Sequence, residues 1–278
     1  MMLDKFKRAV VRKPEKIVVE GETGAGKTTF ACSSHSKQTP AFVINADDGG
    51  ETVFHQTGIE YIHDCLPTGD PKENAVKWDG VMDTMREIAN EKSGIKRLIV
   101  DSVDKLEILA QGKVCTNHKI AHIEDMGYGK GYAYSRGEMQ RFFSALNYLR
   151  DAQGIQPILI CHTQVRTINK PTMEPYDSFV LKLHRSVSGD VQEWADVILF
   201  IAFETIVKKI DSGFNRKDSR AIQSGKRFLY TSGSMGVDAK NRFDLPAEIP
   251  ADWDVYQNHI SAFWGGPQTQ NTETKETK

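Results

Sequence analysis

The 278-residue sequence has only four cysteines, Cys32, Cys65, Cys115 and Cys161, scattered without paired spacing. That favours a reducing, cytoplasmic setting over a disulfide framework. No apolar run approaches the length of a bilayer-spanning helix, so no membrane partner is expected. The segment Met1 to Lys16 is charged and lacks the apolar core of a secretory signal. An excess of charge is missing too: 36 Lys and Arg stand against 37 Asp and Glu, a net charge of −1. A globally basic nucleic-acid coat is therefore excluded, and any contact with nucleic acid must come from a local patch. There is no internal repeat. The length and ordinary apolar content suffice for one large or two small domains with a sizeable core.

What is present centres on Gly21-Glu22-Thr23-Gly24-Ala25-Gly26-Lys27-Thr28, the G-x-x-x-x-G-K-T phosphate-loop pattern. Ile17-Val18-Val19-Glu20 before it predicts a buried strand, and Thr29-Phe30-Ala31-Cys32 after it predicts a helix. Gly21, Gly24 and Gly26 admit backbone dihedrals that a Cβ would crowd. Successive N–H groups can then converge on phosphate oxygens at a helix N-terminus. Residues 21–29 are thus the candidate nucleotide-binding set. Lys27 supplies the cation for the β and γ phosphates, and Thr28 a hydroxyl for Mg²⁺.

Three strand ends add candidate chemistry. Ala41-Phe42-Val43-Ile44 runs into Asp47-Asp48-Gly49-Gly50. Either carboxylate can hold Mg²⁺ or orient an attacking water, and the same residues also make a good Asx turn. Arg97-Leu98-Ile99-Val100-Asp101 is an apolar run ending in Asp, the Walker B pattern, which would bring Asp101 to Mg²⁺ near Thr28. Pro157 to Cys161 predicts another buried strand, leaving His162, Thr163 and Gln164 at its carboxyl end, where open α/β sheets bind ligands. His162 or Gln164 there is a candidate γ-phosphate sensor, and a structural strand-end His is the alternative.

Other segments carry weaker signals. Amphipathic spacing predicts helices over residues 78–92, 105–113 and 135–152, and a short strand over 59–62. On a helix Cys115, His118 and His122 would approach one face, as a polar face or a zinc site. Gly127 to Tyr134 combines glycines, tyrosines and Lys130, the makings of a loop that packs its rings or stacks bases. Residues 165–188 read as a polar connection. Residues 205–230 read as a hairpin with a basic tip region that includes Lys208, Lys209, Arg216, Lys217, Arg220, Lys226 and Arg227, a solvated surface or a DNA-backbone contact. Lys240 and Arg242 flank Asn241 in a loop that ends at Pro246. Residues 1–14 read as a polar arm, 15–264 as the main domain, and 265–278 as a disordered tail.

Taken together, GETGAGKTTF, RLIVDSVDKLE, GYGKGYAY, ILICHTQV, EWADVILF and AKNRFDLP resemble the phage nucleotide-binding proteins of the RecA-like, single-strand-annealing type, over about residues 15 to 255. The Walker B segment is similar to that of RecA, and the Lys-Asn-Arg-Phe segment to that of its paralogue RadA. The resemblance implies a RecA-like P-loop NTPase core, mostly parallel sheet flanked by helices with a C-terminal β-hairpin extension, binding ATP and Mg²⁺. It implies homo-oligomers in which Lys240 and Arg242 reach a neighbour's ATP in trans. It also implies a water-activating carboxylate at Asp47 or Asp48, where Glu is commoner among RecA relatives. A role on single-stranded DNA follows, with a single-strand-binding protein as possible partner. Two other classes fit the phosphate loop: a non-hydrolysing adaptor of a replicative helicase and a small-molecule phosphotransferase.

Overall fold

Strands buried on both faces read as unbroken apolar runs, and three such runs build the centre of this molecule. In the computed structural model, residues 12–91, 94–211, 217–234 and 236–265 are described, with side chains of 205–223 left aside. β1 (Ile17–Gly21) and β4 (Arg97–Asp101) are buried along their whole length, as is the first half of β5 (Gln156–Ile168). With β2 (Ala41–Asn45), β3 (Tyr61–Asp64), β7 (Val197–Asp211), β8 (Lys217–Tyr230) and β10 (Glu248–Pro250) they form a sheet ordered β10-β8-β7-β1-β5-β4-β2-β3. The stretch from β7 to β3 is parallel, and β8 and β10 add antiparallel strands at one edge. This is the mixed α/β architecture expected, a mostly parallel sheet flanked by helices.

The period-two alternation of the strands sorts their side chains onto two cores. Val18, Ile44 and Val100 face a layer holding Trp78 of α3 (Pro71–Asn90), Leu106 of α4 (Val103–His118), Phe142 of α5 (Lys130–Gln153) and Trp194 of α6 (Arg185–Trp194). Ile17, Val19 and Ile99 face the other layer, with Phe30 of α1 (Lys27–Cys32), Phe54 of α2 (Glu51–Thr57) and Tyr256 of α7 (Trp253–Phe263). Every buried parallel strand therefore ends at one edge of the sheet, and the glycine loop leaves that edge after Gly21.

Several expectations are corrected. α3 starts two turns before Trp78, because the Asp70 side chain accepts from the Lys72 N–H and Pro71 opens the helix. The short strand lies at 61–64, not 59–62. α4 ends at His118 with Lys119 in the left-handed region, so His122 leaves the helix and caps a 3₁₀ turn (Ile123–Met126). No group of three metal-ligating side chains exists among the described residues, and the zinc reading lapses. Tyr132 and Tyr134 belong to α5; the loop proper is Gly127-Tyr128-Gly129. Gly131 is needed because a Cβ there would sit 2.2 Å from the Ile123 carbonyl oxygen.

The polar connection is instead structured. β5 continues past the sheet edge to Ile168 and pairs antiparallel with β6 (Tyr176–Leu181), making a projecting hairpin. α6 and α7 were not anticipated. The β7–β8 hairpin is as expected, and Arg216 at its tip lies outside the described residues, as do most of the N-terminal arm and nearly all of the tail. No described helix is long and apolar enough to cross a membrane.

Glu20 is a local conflict within this core. It is fully buried in β1, and neither carboxylate oxygen has a hydrogen-bond partner among the described residues. Burial drives its pKa well above the ordinary carboxylate range, and Asp238 adds to the rise. A raised folded pKa makes the stabilising contribution full below the unfolded value and lost as pH climbs past it. Glu20→Leu is therefore expected to raise the melting temperature by several degrees at pH 7.5 and by less at pH 4.5. Equal melting shifts at the two pH values in thermal denaturation would contradict this.

Candidate functional site

The site grows from the loop between β1 and α1. Gly24 and Gly26 hold φ of 79° and 99°, in the region that favours glycine. Gly21 is also required, since a Cβ there would lie 2.4 Å from the Ile201 carbonyl oxygen on β7. Gly26 gives α1 no side-chain cap, so the first N–H groups of the helix are left to the loop's contents. Lys27 is buried, and its Nζ donates to the Gly21 and Glu22 carbonyls, each at 2.9 Å. Burial lowers its pKa against the opposing pull of Asp101 and Asp104. Glu22, Thr23, Gly24 and Thr29 are exposed around the same turn, and Ala25 is buried beneath it.

β4 brings Asp101 to this loop from two strands away. Thr28 Oγ1 donates to Asp101 Oδ2 at 2.6 Å. Asp101 is buried, and desolvation lifts its carboxyl to about 6, with the Thr28 hydrogen bond pulling the other way and Asp47 pushing further up. β2 ends beside it: the Ala46 and Asp47 N–H groups donate to the Asp101 carbonyl at 2.6 and 2.9 Å. Asp47 Oδ2 then lies 3.4 Å from His162 Nε2. Asp48 is exposed, and its N–H donates to Asp47 Oδ1 at 3.0 Å, so the Asx turn and the acidic site coexist in one segment. Of the two carboxylates, Asp47 is the one gathered into the cleft.

His162 sits at the sheet edge, level with Gly21. Its ring is held from behind by Asp104 of α4, whose carboxylate lies 3.2 and 3.3 Å from Nδ1 and accepts the His162 N–H at 3.1 Å. Burial works to raise Asp104, but the His162 bonds and charge outweigh it and its pKa falls. Asp104 thereby orients the ring so that Nε2 faces Asp47. Gln164, two residues on, donates to the Leu181 carbonyl at 3.4 Å and shares a cavity of about 620 Å³ with Glu22, Thr23 and Ala25. Asp104 was not singled out from the sequence; its only signal was its place three residues after Asp101, in the first turn of α4.

These residues fit Mg²⁺ and a nucleoside triphosphate. A hydroxyl and a buried carboxylate in contact are hard oxygen donors of the kind Mg²⁺ takes. Thr28 and Asp101 would hold the ion, and the glycine turn with Lys27 the phosphates. Bound Mg²⁺ would supply charge neutralisation between phosphate oxygens.

Lys240 and Arg242 are not part of this constellation. Lys240, in β9 (Lys240–Asn241), pairs with Ile198, which is level with Val18 at the far end of β1 from the glycine loop. Its Nζ donates to the Gln192 carbonyl at 2.7 Å at the end of α6, and Arg242 pairs with Asp196 at 2.8 Å. Arg227, counted in the basic tip, is instead at the root of the hairpin, with its guanidinium against Gly26 and over the Phe203 ring at 4.8 Å.

A glycine phosphate loop on a parallel sheet, with a Walker-type Asp meeting its Thr, defines a P-loop NTPase. The AAA domain family model matches residues 13–243, most of the chain, and the protein belongs to that family. Membership points to nucleotide binding and ATPase activity. No curated protein matches the chain.

Asp101→Asn keeps an acceptor for Thr28 and removes the charge. Because the Asp101 pKa is raised, its stabilising effect is complete below the unfolded value of about 4 and lost as pH rises through about 6. The metal-free variant should melt no lower than wild type at pH 7.5, while Mg²⁺-dependent ATP turnover falls at least a hundredfold. Calorimetry and a phosphate-release assay together check both halves; retained turnover would remove Asp101 from the metal site.

Proposed function

We propose that the protein is a RecA-like enzyme that binds and hydrolyses ATP while acting on single-stranded DNA in phage recombination or annealing. The observation that carries the ATPase half is the Thr28–Asp101 contact beside the Asp47–His162 pair. Those four residues offer a metal pair, a carboxylate to orient water and a group that senses the γ phosphate.

The DNA half rests on where the cations fall. The β5–β6 and β7–β8 hairpins both leave the edge that carries the phosphate loop. The first carries Arg166 and, between its strands, Lys170; the second places Lys208 in register with Arg220. Glu174 and Asp177 balance the two cations of the first hairpin, so in a protein of net charge −1 the local basic excess suited to a polyanion falls on the second. A single-strand-binding protein remains a candidate partner on the resemblance alone.

The oligomer reading has its own support. Lys240 and Arg242 lie toward the opposite end of the sheet from their own glycine loop, and the Arg242 side chain is 52% exposed. A head-to-tail neighbour could receive it, whereas its own nucleotide could not.

The test compares ATP turnover of wild type, Lys27→Ala and Arg242→Ala with and without an oligonucleotide. Lys27→Ala should be inactive throughout. Arg242→Ala should keep the monomer fold and lose DNA-stimulated turnover by about a hundredfold or more, as a finger acting in trans would. Wild-type rates in Arg242→Ala would sink the trans role, and wild-type turnover indifferent to DNA, with no salt-sensitive binding, would sink the DNA role.

A further inference from the structure

A second cavity, of about 400 Å³, lies at the edge of the sheet opposite the phosphate loop. It is lined where β4 and β5 begin, by Lys96, Arg97 and Gln156. Arg12 and Glu15, on the segment leading into β1, and Gln257 of α7 line it from the other elements. Arg97 is only 9% exposed. Its guanidinium donates to Gln156 Oε1 at 3.2 Å, to the Ser34 carbonyl and to Thr39 Oγ1, all of them neutral. It also lies over the Trp253 ring, 5.0 Å from the centroid. Desolvation draws its pKa down to about 10, against the pull of Glu15 and Asp254. A buried cation held by neutral acceptors lacks the contacting counter-charge that offsets the cost of burial.

The one carboxylate in the lining does not supply that charge by contact. Glu15 Oε2 accepts from Gln156 Nε2 at 2.6 Å, so the glutamine amide stands between acid and arginine. Burial also raises the Glu15 pKa, which weakens it as a counter-ion. Lys13, which lines the cavity too, is already paired with Asp151 at 2.7 Å. Arg12 and Lys96 are exposed and enter no ion pair among the described residues. Gln257 gives an independent sign: its Nε2 is buried and has no acceptor among the described residues. Three cations and an unmatched amide donor therefore converge on one cavity that is short of acceptors.

We propose that this cavity is an anion site for a compact phosphate group, phosphate or pyrophosphate, separate from the phosphate loop. It does not depend on the nucleotide reading of that loop. Phosphate oxygens would accept from Arg97, Arg12 and Lys96 and supply the charge the arginine lacks. Three cations against one acid favour a multiply charged anion. No aromatic ring lines the cavity among the described residues, so it lacks the stacking face that a nucleic-acid strand uses. A bound anion would join the segment before β1, the starts of β4 and β5, and α7. It would therefore stabilise the fold by binding only the folded state.

Calorimetric titration with pyrophosphate, without Mg²⁺ and in the Lys27→Ala variant that cripples the phosphate loop, isolates this site. Lys27→Ala should bind pyrophosphate, and its melting temperature should climb with pyrophosphate concentration. Adding Gln257→Glu, which keeps the side-chain shape and brings a negative charge, should weaken that binding by about tenfold or more. Adding Lys96→Glu, at an exposed position that the fold does not need, should do the same. Failure of Lys27→Ala to bind pyrophosphate would overturn the site, as would unchanged affinity in both double variants. A single-stranded oligonucleotide forms the second arm. If the two substitutions weaken its binding and leave that of pyrophosphate intact, the cavity is a strand contact and the compact-anion site is wrong. Wild type that ignores ATP would sink the phosphate-loop reading and leave the pyrophosphate result to decide this one.

Discussion

The hydrogen bond from Thr28 to Asp101 is the constraint on which the cleft depends. Thr28 stands in the first turn of α1, after the loop that leaves β1, and Asp101 ends β4; β1 and β4 are not neighbours, and β5 runs between them. The bond forms only if the register of three parallel strands is kept: β5 pairs Gly21 with His162 and Asp101 with Ile160. The packing of all three strands fixes the register, since a slip of one residue would exchange their side chains between the two core layers. Hydrophobic packing thereby positions a polar contact at 2.6 Å.

Electrostatics at the same edge is arranged at some cost to stability. Asp101 is pushed up to about 6 by burial, and Glu107, one turn beyond Asp104, to about 7. Glu107 accepts the His184 N–H at the start of α6, but one of its oxygens is buried without a hydrogen-bond partner among the described residues. Asp104 escapes this fate because His162 supplies it with hydrogen bonds and charge. Such concentrations of desolvated carboxylates are ill suited to stability and well suited to holding a cation and a proton. They divide the labour: Asp101 meets the loop hydroxyl, Asp104 holds the histidine, and Asp47 touches the Asp101 backbone with its N–H and faces His162 with its carboxylate.

Contiguity decided how much could be read in advance. The glycine loop, Asp101, Asp47 and His162 lie in short motifs or at strand ends, and the fold brought them together. Asp104 and Arg227 have no motif; one is recognisable only from its contact with His162 and the other only from its closeness to Gly26. The β5–β6 hairpin looked like a linker because a projecting two-stranded ribbon has little core to mark its alternation. Tyr132 and Tyr134 looked like loop residues because glycines surround them, yet Gly131 serves a close helix contact with Ile123.

The sequence by itself determined the alternating α/β pattern, the phosphate loop and the Asp that serves it, because each is a local run whose residue types have few other uses. Only the tertiary structure decided that Asp47 rather than Asp48 meets His162, that Arg227 belongs to the loop and not to a basic tip, and that Lys240 and Arg242 stand far from their own glycine turn. The physical reason is that these facts are set by strand order and register. Both arise from burying apolar faces across the whole chain, and neither is a property of any segment alone.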